Sequence, residues 1–216
     1  MDKKLARTFA VIGAMMGWFA VIIQLYLMIE SRTTLVGETI LRFFGYFTID
    51  TNTLCALCLS LIAINNKSGI AGFFCKPVVV TALTVYIIVV GITYNLLLRS
   101  TWNPQGMQKI IDELLHSIIP LYFLLFWLAF VPGKGLKWKS ALPMTIYPLI
   151  YVTYALVFGS IKKFYLYPFV DVNVLGYGQA LLNTALVLIV IFLLSLTFIG
   201  MGRRKKISGD GAGTTK

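Results

Sequence analysis

The sequence predicts an all-α polytopic membrane protein with six transmembrane helices, and three observations lead to this prediction. Of the 216 residues, 58% are hydrophobic and only 12% are charged, whereas soluble domains carry roughly 25% charged residues. The mean hydropathy is +0.84. The apolar residues fall in long runs, and a helix needs about 20 of them to cross a bilayer. A water-soluble enzyme, a disordered chain and a disulfide scaffold are therefore disfavoured.

Six apolar runs are long enough, or nearly long enough, to cross the membrane as helices. A spanning β-strand would need only about ten alternating residues, so the run lengths favour helices. The first run follows a short basic segment and is not followed by a small-residue cleavage motif, which is typical of an uncleaved signal-anchor helix. The six predicted spans are residues 9–29, 43–64, 77–98, 113–131, 140–159 and 178–200.

Basic residues are divided unequally between the two sides of the membrane. The N-terminus, the second loop, the fourth loop and the tail hold three, two, three and five Lys or Arg residues, 13 in all, against 6 on the other side. Because basic flanks stay in the cytoplasm, both termini are predicted to be cytoplasmic. Residues 1–202 then form the membrane domain, and residues 203–216 form a basic tail predicted to be disordered. This topology signal accounts for the net charge of +11, so no nucleic-acid partner is expected.

Polar residues collect near the extracytoplasmic side of the predicted spans. Five of the eight acidic residues fall in or beside the outer loops, and a sixth, Asp50, lies on the outer half of the second helix. The cytoplasmic halves of the helices contain Ser and Thr but no acidic residue. Polar side chains inside a bilayer are costly and usually face a bundle interior or a cavity. We therefore expect a polar pocket that opens toward the extracytoplasmic face or the outer leaflet.

Helical spacing places several of these polar residues on common faces. Thr48, Thr51 and Asn52 share one face of the second helix, and Asp112 and His116 align on the fourth. At about 1.5 Å of rise per residue, Thr48 and His116 lie at similar depth. The residues predicted to line the pocket around this pair are Asn52, Thr51, Tyr94, Asn95, Tyr151, Tyr154, Asp171 and Asn183.

Thr48, His116 and Asp112 form a candidate catalytic group. A histidine can act as a general base, and a threonine hydroxyl becomes nucleophilic when a neighbouring base takes its proton. Asp112 would orient the imidazole, and Asn52 or a tyrosine hydroxyl would donate to an oxyanion. A structural explanation stays open, because a Thr in a helix often bonds the i−4 carbonyl and an Asp near a helix start often caps it.

Four short motifs in membrane order carry a resemblance to a known family. They are Phe47-Thr48 at the head of the second helix, His116 followed by Pro120, the Tyr-rich fifth helix, and Tyr167-Pro168-Phe169 followed by Asp171. The pattern resembles the integral membrane hydrolases of the androgen-induced and androgen-dependent type. It is more similar still to bacterial six-helix membrane proteins distantly related to them.

The resemblance implies a threonine-dependent hydrolase of lipid esters, specifically of fatty acid esters of hydroxy fatty acids. It implies Thr48 as nucleophile and His116 as base, and a bacterial cytoplasmic membrane as the location. The segment after Thr48 is more polar than in the animal proteins, so Thr51 or Thr53 stays open as the reacting hydroxyl. Membrane lipids and a lipid-like ester are the expected partners.

Two other functions remain open at this point. A non-catalytic protein that binds a lipid or a small molecule would use the same polar cluster as an interhelical hydrogen-bond network. A transporter would need polar residues along both halves of the membrane, and the cytoplasmic half lacks them. A single histidine cannot supply paired haem ligands, and Cys55 and Cys58 have no further ligands at their depth. We expect neither a metal nor a cofactor.

Overall fold

The computed structural model describes residues 3–65 and 68–210, and side chains through residue 205. The described residues form helices and connecting turns, without a strand. Six helices among them are long and apolar enough to cross a membrane, which confirms the predicted all-α polytopic fold. We label these helices α1 (Lys3–Glu30), α2 (Phe47–Ile64), α3 (Pro77–Leu98), α4 (Gly106–Phe130), α5 (Trp138–Lys162) and α6 (Val172–Asp210).

An even number of crossings puts both ends of the chain on one side, which we call the termini face. The loops that follow α1, α3 and α5 lie on the other side, the opposite face. A short helix, Val36–Phe43, lies there between α1 and α2, and another, Gly69–Phe74, connects α2 to α3 at the termini face. The assignment of the termini face to the cytoplasm stays a prediction.

The last helix differs in extent from the predicted span. It begins at Val172, bends at Gly176, where φ is +73°, and continues to Asp210. Glycine adopts this conformation without steric cost, so the kink falls where the sequence permits it. The helix passes the domain boundary expected at residue 202, and residues 211–216 lie outside the described residues. The disorder predicted for residues 203–216 stays a prediction.

α3 is the central helix of the bundle, and α5 is the most peripheral. In the most apolar window of α3, 56% of the residues are buried, against 22% in α5. α3 packs against α2, α4 and α6, whereas α1 packs against α2 and α4. α5 contacts the rest of the bundle mainly through α6. Space therefore remains between α5 and the other helices.

Two glycines allow the end of α4 and the last part of α6 to approach closely at the termini face. A Cβ atom placed on Gly133, just after α4, would lie 1.7 Å from the carbonyl oxygen of Gly202 in α6. Beside this contact, the ammonium group of Lys205 donates to the carbonyl oxygens of Trp127 and Leu128, at 3.0 and 2.8 Å. Both carbonyls lie in the last turn of α4, where a cation is favoured, and that of Trp127 also accepts from the Val131 amide at 3.2 Å. α6 is thereby fastened to the end of α4.

Gly17 lets α1 and α2 approach closely. A Cβ atom placed on Gly17 would lie 2.8 Å from the Cβ of Ala56. Small residues allow such contact between helices in a membrane, where packing rather than hydrophobic burial drives association.

The substitution Gly17→Leu should separate α1 from α2 and destabilise the protein. Overpacking of this kind costs about 1–3 kcal/mol, so we expect a thermal unfolding midpoint several degrees lower in detergent, followed by tryptophan fluorescence. Gly37→Leu is the matched control, because no atom lies within 4 Å of a Cβ at Gly37. Equal midpoints for the two variants would contradict the close α1–α2 contact.

Candidate functional site

A cavity lies between α3, α5 and α6, near the opposite face. Its empty volume is about 710 Å³, including the part outside its mouth. Most of the lining side chains are aliphatic or aromatic, so the cavity is apolar, which differs from the polar pocket that we expected. The polar groups that line it are Thr48, Thr93, Tyr94, His116, Tyr151, Tyr167 and Thr184.

Tyr94, Asp112 and His116 form one compact cluster at the cavity wall. The Tyr94 hydroxyl donates to Oδ2 of Asp112, and the Tyr94 ring stacks on the imidazole, with ring centres 4.1 Å apart. Nδ1 of His116 lies 2.9 Å from the carbonyl oxygen of Asp112 and 3.3 Å from its Oδ1. Both neighbours of Nδ1 are acceptors, so the proton of a neutral imidazole belongs on Nδ1 and the Nε2 lone pair is left free.

The helices around this cluster widen into two facing π-turns. One comprises Tyr94–Leu98 at the end of α3, and the other comprises Leu114–Ile118 within α4. Pro120 has no N–H group. It therefore cannot donate to the carbonyl of His116 in α-helical pairing or to that of Leu115 in π-helical pairing. Single π-turns of this kind are frequent at functional sites.

Two asparagine amides satisfy the carbonyls that Pro120 leaves open. Asn95 of α3 donates to the carbonyl oxygen of His116 at 3.3 Å. Asn52 of α2 donates to the carbonyl oxygen of Leu115 at 3.2 Å and to that of Thr48 at 2.8 Å. Both bonds come from the same amide nitrogen, so the carbonyl oxygens of Leu115 and Thr48 lie no more than 6.0 Å apart, the sum of the two distances. Asn52 thus holds the backbone of Thr48 beside the backbone next to His116.

Tyrosine hydroxyls hold the first turn of α2. The Thr48 amide donates to the Tyr167 hydroxyl at 3.4 Å, and the Phe47 amide donates to the Tyr151 hydroxyl at 3.1 Å. Tyr151 in turn donates to the carbonyl oxygen of Gly45 at 2.9 Å. These amides begin a helix and have no partner within it. Burial raises the pKa of Tyr167 above its usual value, so its hydroxyl keeps its proton.

Thr48 and His116 face the same cavity but are not hydrogen-bonded to each other among the residues that the structure describes. Several threonines within the spans, such as Thr81 and Thr153, donate to the i−4 carbonyl. No such bond from Thr48 is found in the described ranges. The structural explanation for a helical threonine therefore does not account for Thr48.

Six of the residues predicted to line the pocket are not among those that line this cavity, and their role in substrate binding stays a prediction. Asn52 and Asn95 are committed to backbone carbonyls, and Thr51 is fully buried among the helices. Tyr154 is 41% exposed on the outer face of α5. Hydrogen bonds hold the other two, because Asp171 accepts from the Asn173 amide and Asn183 donates to the carbonyl oxygen of Phe169.

Three polar residues that line the cavity, Thr93, Tyr167 and Thr184, were not predicted as site residues. Tyr167 stands in the Tyr-Pro-Phe motif, which offered a signal. Thr93 directly precedes the predicted site residue Tyr94, and this position in the sequence was a weaker signal. Thr184 is preceded by Asn183, and only the rotation of α6 decides which of the two faces inward.

The fold and the site together define a class: a polytopic helical membrane protein with an apolar intramembrane cavity that ends at a Tyr–Asp–His cluster. No protein-family model matches the chain, and no curated protein or solved structure matches it significantly.

The substitution Asn52→Leu should destabilise the bundle because it leaves the Leu115 carbonyl buried without a donor. Such an unsatisfied group costs about 1–3 kcal/mol, so the unfolding midpoint in detergent should fall by several degrees. Asn173→Ala is the control, because Asn173 is exposed and contributes only its backbone amide to the hydrogen bonds described. Unchanged stability of the Asn52 variant would mean that Leu115 finds another donor.

Proposed function

We propose that the protein hydrolyses a lipid-like ester within the membrane, with Thr48 as nucleophile and His116 as base. The observation that carries this proposal is that both side chains line one apolar cavity while Asp112 holds the imidazole by Nδ1. A nucleophile, a base and a group that orients the base are the three parts that acyl transfer requires.

In the first half of the reaction, the Thr48 hydroxyl oxygen attacks the ester carbonyl and its proton passes to Nε2 of His116. Collapse of the tetrahedral intermediate breaks the bond to the alcohol oxygen, which takes the proton from Nε2. The alcohol leaves, and the acyl group stays on Thr48 as an ester. Movement of either side chain on substrate binding brings the two groups into contact, since catalytic hydrogen bonds are often long before substrate binds.

In the second half, a water molecule attacks the acyl ester while Nε2 of His116 takes its proton. The second tetrahedral intermediate releases the carboxylic acid, and the proton returns to the Thr48 oxygen. One ester and one water thus give one acid and one alcohol, and the enzyme is unchanged. No metal or redox cofactor takes part in these steps.

The Tyr167 hydroxyl is the best-placed donor for the developing oxyanion. It lies beside Thr48, lines the cavity and keeps its proton at physiological pH. Asn52, the other donor considered from sequence, already gives its amide protons to two carbonyls. A donor fixed before the reaction stabilises the charge without reorganisation.

The apolar lining favours an ester with a hydrocarbon chain over a polar ester. The motifs that resemble the androgen-induced and androgen-dependent hydrolases supply Thr48, His116 and Tyr167 to this cavity, and Pro120 to the turn behind His116. Fatty acid esters of hydroxy fatty acids are accordingly the substrates that we propose. We place the protein in a bacterial cytoplasmic membrane with the cavity toward the outer leaflet.

A non-catalytic lipid-binding protein is the second candidate function. The observation that favours it is the absence of a direct Thr48–His116 hydrogen bond in the described part of the chain. The same cavity would then hold a lipid without reaction, and the Tyr94–Asp112–His116 cluster would serve only to join α3 to α4.

Activity of the variants separates these two functions. Thr48→Ala and His116→Gln should each lower hydrolysis of a fluorescent fatty ester by more than about a hundredfold, because each removes a partner in proton transfer. The measurement is release of the fluorescent alcohol by the protein in liposomes. Thr153→Ala, a threonine on the outer face of α5, should react like the wild type. Equal rates in all four proteins would leave the binding function.

Asp112→Asn should lower the rate less than His116→Gln does. The Asp112 carbonyl, which the substitution keeps, still accepts from Nδ1 at 2.9 Å, whereas the carboxylate that stabilises the imidazolium is lost. We expect a loss of about tenfold in kcat with little change in KM. A loss equal to that of His116→Gln would show that the backbone contact does not orient the ring.

A further inference from the structure

A surface groove adjoins the cavity on the lipid-facing side of α5 and α6. Its lining residues are Leu142, Thr145, Leu149, Leu188, Ile189 and Phe192. Leu142, Leu149 and Ile189 are exposed by 69%, 50% and 52%, so the groove faces the hydrocarbon of the bilayer. The groove lies nearer the termini face than the Tyr94–Asp112–His116 cluster does.

Leu188 is the one residue that lines both the cavity and the groove. It is half-buried, and its side chain stands between the enclosed space and the lipid. The wall at this point is formed by α6 and by α5, which has the smallest buried fraction of the six spans in the described residues. A shift of one side chain would therefore join the two spaces.

Thr184 gives the enclosed space a polar group without a partner. Thr184 is only 8% exposed and lines the cavity, and its hydroxyl has no hydrogen bond within the described residues. An unpaired buried hydroxyl costs free energy. Thr184 lies four residues before Leu188, so both side chains are on the same face of α6. A ligand with an oxygen atom at this depth would satisfy it.

We propose that the cavity and the groove together form a binding slot for one acyl chain, which enters from the bilayer between α5 and α6. The inference deepens the proposed function by naming where the chain of the ester lies. The ester oxygens face Thr184 and the Thr48–His116 end, the hydrocarbon runs past Leu188, and the methyl end lies in the groove near Phe192.

The dimensions fit one lipid tail. Thr184 and Phe192 are eight residues apart, which is about 12 Å along a helix axis. One leaflet of a bilayer is about 15 Å of hydrocarbon, half of the roughly 30 Å core, and one lipid tail spans it. The apolar lining excludes a peptide or a sugar, whose polar groups would be left unpaired.

Binding is tested directly with hexadecanoic acid that carries a diazirine at its methyl end. The full-length protein in liposomes is irradiated, and the labelled peptides are identified by mass spectrometry. We expect label on the groove residues of α5 and α6. Label spread evenly over all lipid-facing helices would overturn the slot, because it would show only bulk lipid. A crosslink between two copies of the chain at the groove, unaffected by the fatty acid, would also overturn it.

Substitutions at Leu188 test the slot in both directions. Leu188→Trp fills the slot and displaces part of the acyl chain. Because each methylene removed from apolar contact weakens binding about fourfold, the loss of two or more should lower labelling by more than about tenfold. Leu188→Ala opens the wall and should increase labelling. Leu186→Ala is the matched control, because Leu186 is exposed and lines neither space. Equal labelling in the Trp, Ala and control variants would overturn the proposal.

Thr184→Val tests the polar contact without a change of shape. It should weaken labelling several-fold, whereas Thr184→Ser should retain it, since a neutral hydrogen bond contributes about 1 kcal/mol. Equal labelling of the Val and Ser variants would overturn the role of the hydroxyl.

Hydrolysis of octanoyl, dodecanoyl and hexadecanoyl esters separates the two proposals. With Leu188→Trp the preference should shift to the shorter esters, and with Leu188→Ala to the longer ones. Because labelling needs no reaction, label in the groove without hydrolysis would support the slot and refute the hydrolase. Hydrolysis with no groove label and no shift in chain length would refute the slot alone.

Discussion

The geometry of the candidate site depends on Pro120, which has no backbone N–H group to donate to the preceding turn of α4. Without that donor, the carbonyls of Leu115 and His116 must find partners outside their own helix, because an unpaired carbonyl within a bilayer is costly. Asn52 and Asn95 provide them from α2 and α3. Because of one proline, two neighbouring helices, α2 and α3, are hydrogen-bonded to the turn of α4 that carries the only histidine of the sequence. The π-turn that accompanies it places the imidazole against Tyr94 and Asp112.

The sequence was sufficient to predict the six membrane-spanning helices, because a span requires only an apolar run long enough to cross the hydrocarbon, and run length and hydropathy are local properties. It also predicted that Asp112 lies beside His116, because i, i+4 neighbours share a helix face, and their side chains lie 3.3 Å apart. The sequence alone could not predict which polar side chains donate hydrogen bonds to backbone carbonyls of other helices. Asn52 and Asn95 were assigned to the pocket wall, but the need for their amides arises only when α2, α3 and α4 pack together. The rotation that turns Thr184 inward and Asn183 toward Phe169 depends likewise on the kink at Gly176 and the loop before it.

The apolar character of the cavity follows from how these polar groups are used. Clustering of hydrophilic residues near one face was visible in the sequence, yet many of those residues pair with one another or with the backbone. What remains toward the enclosed space is a small set of hydroxyls and one imidazole at the end of a hydrocarbon-lined volume. This arrangement suits a molecule that is polar at one point and oily elsewhere, which is also what a bilayer can deliver.

The unequal attachment of the helices has a mechanical consequence. Lys205 and the glycine contact at residues 133 and 202 join α6 to α4 at the termini face. α5 rests against α6 and is otherwise held by single side chains, such as Tyr151 at the start of α2 and Tyr86 of α3. Lateral pressure in the bilayer acts on every lipid-facing helix, and α5, the least buried of the six, has the least packing to resist it. A more tightly packed membrane would therefore press this helix inward, and a looser one would let it move outward. Under the proposed entry between α5 and α6, membrane fluidity would then be a physical variable that sets how readily the cavity takes up a lipid.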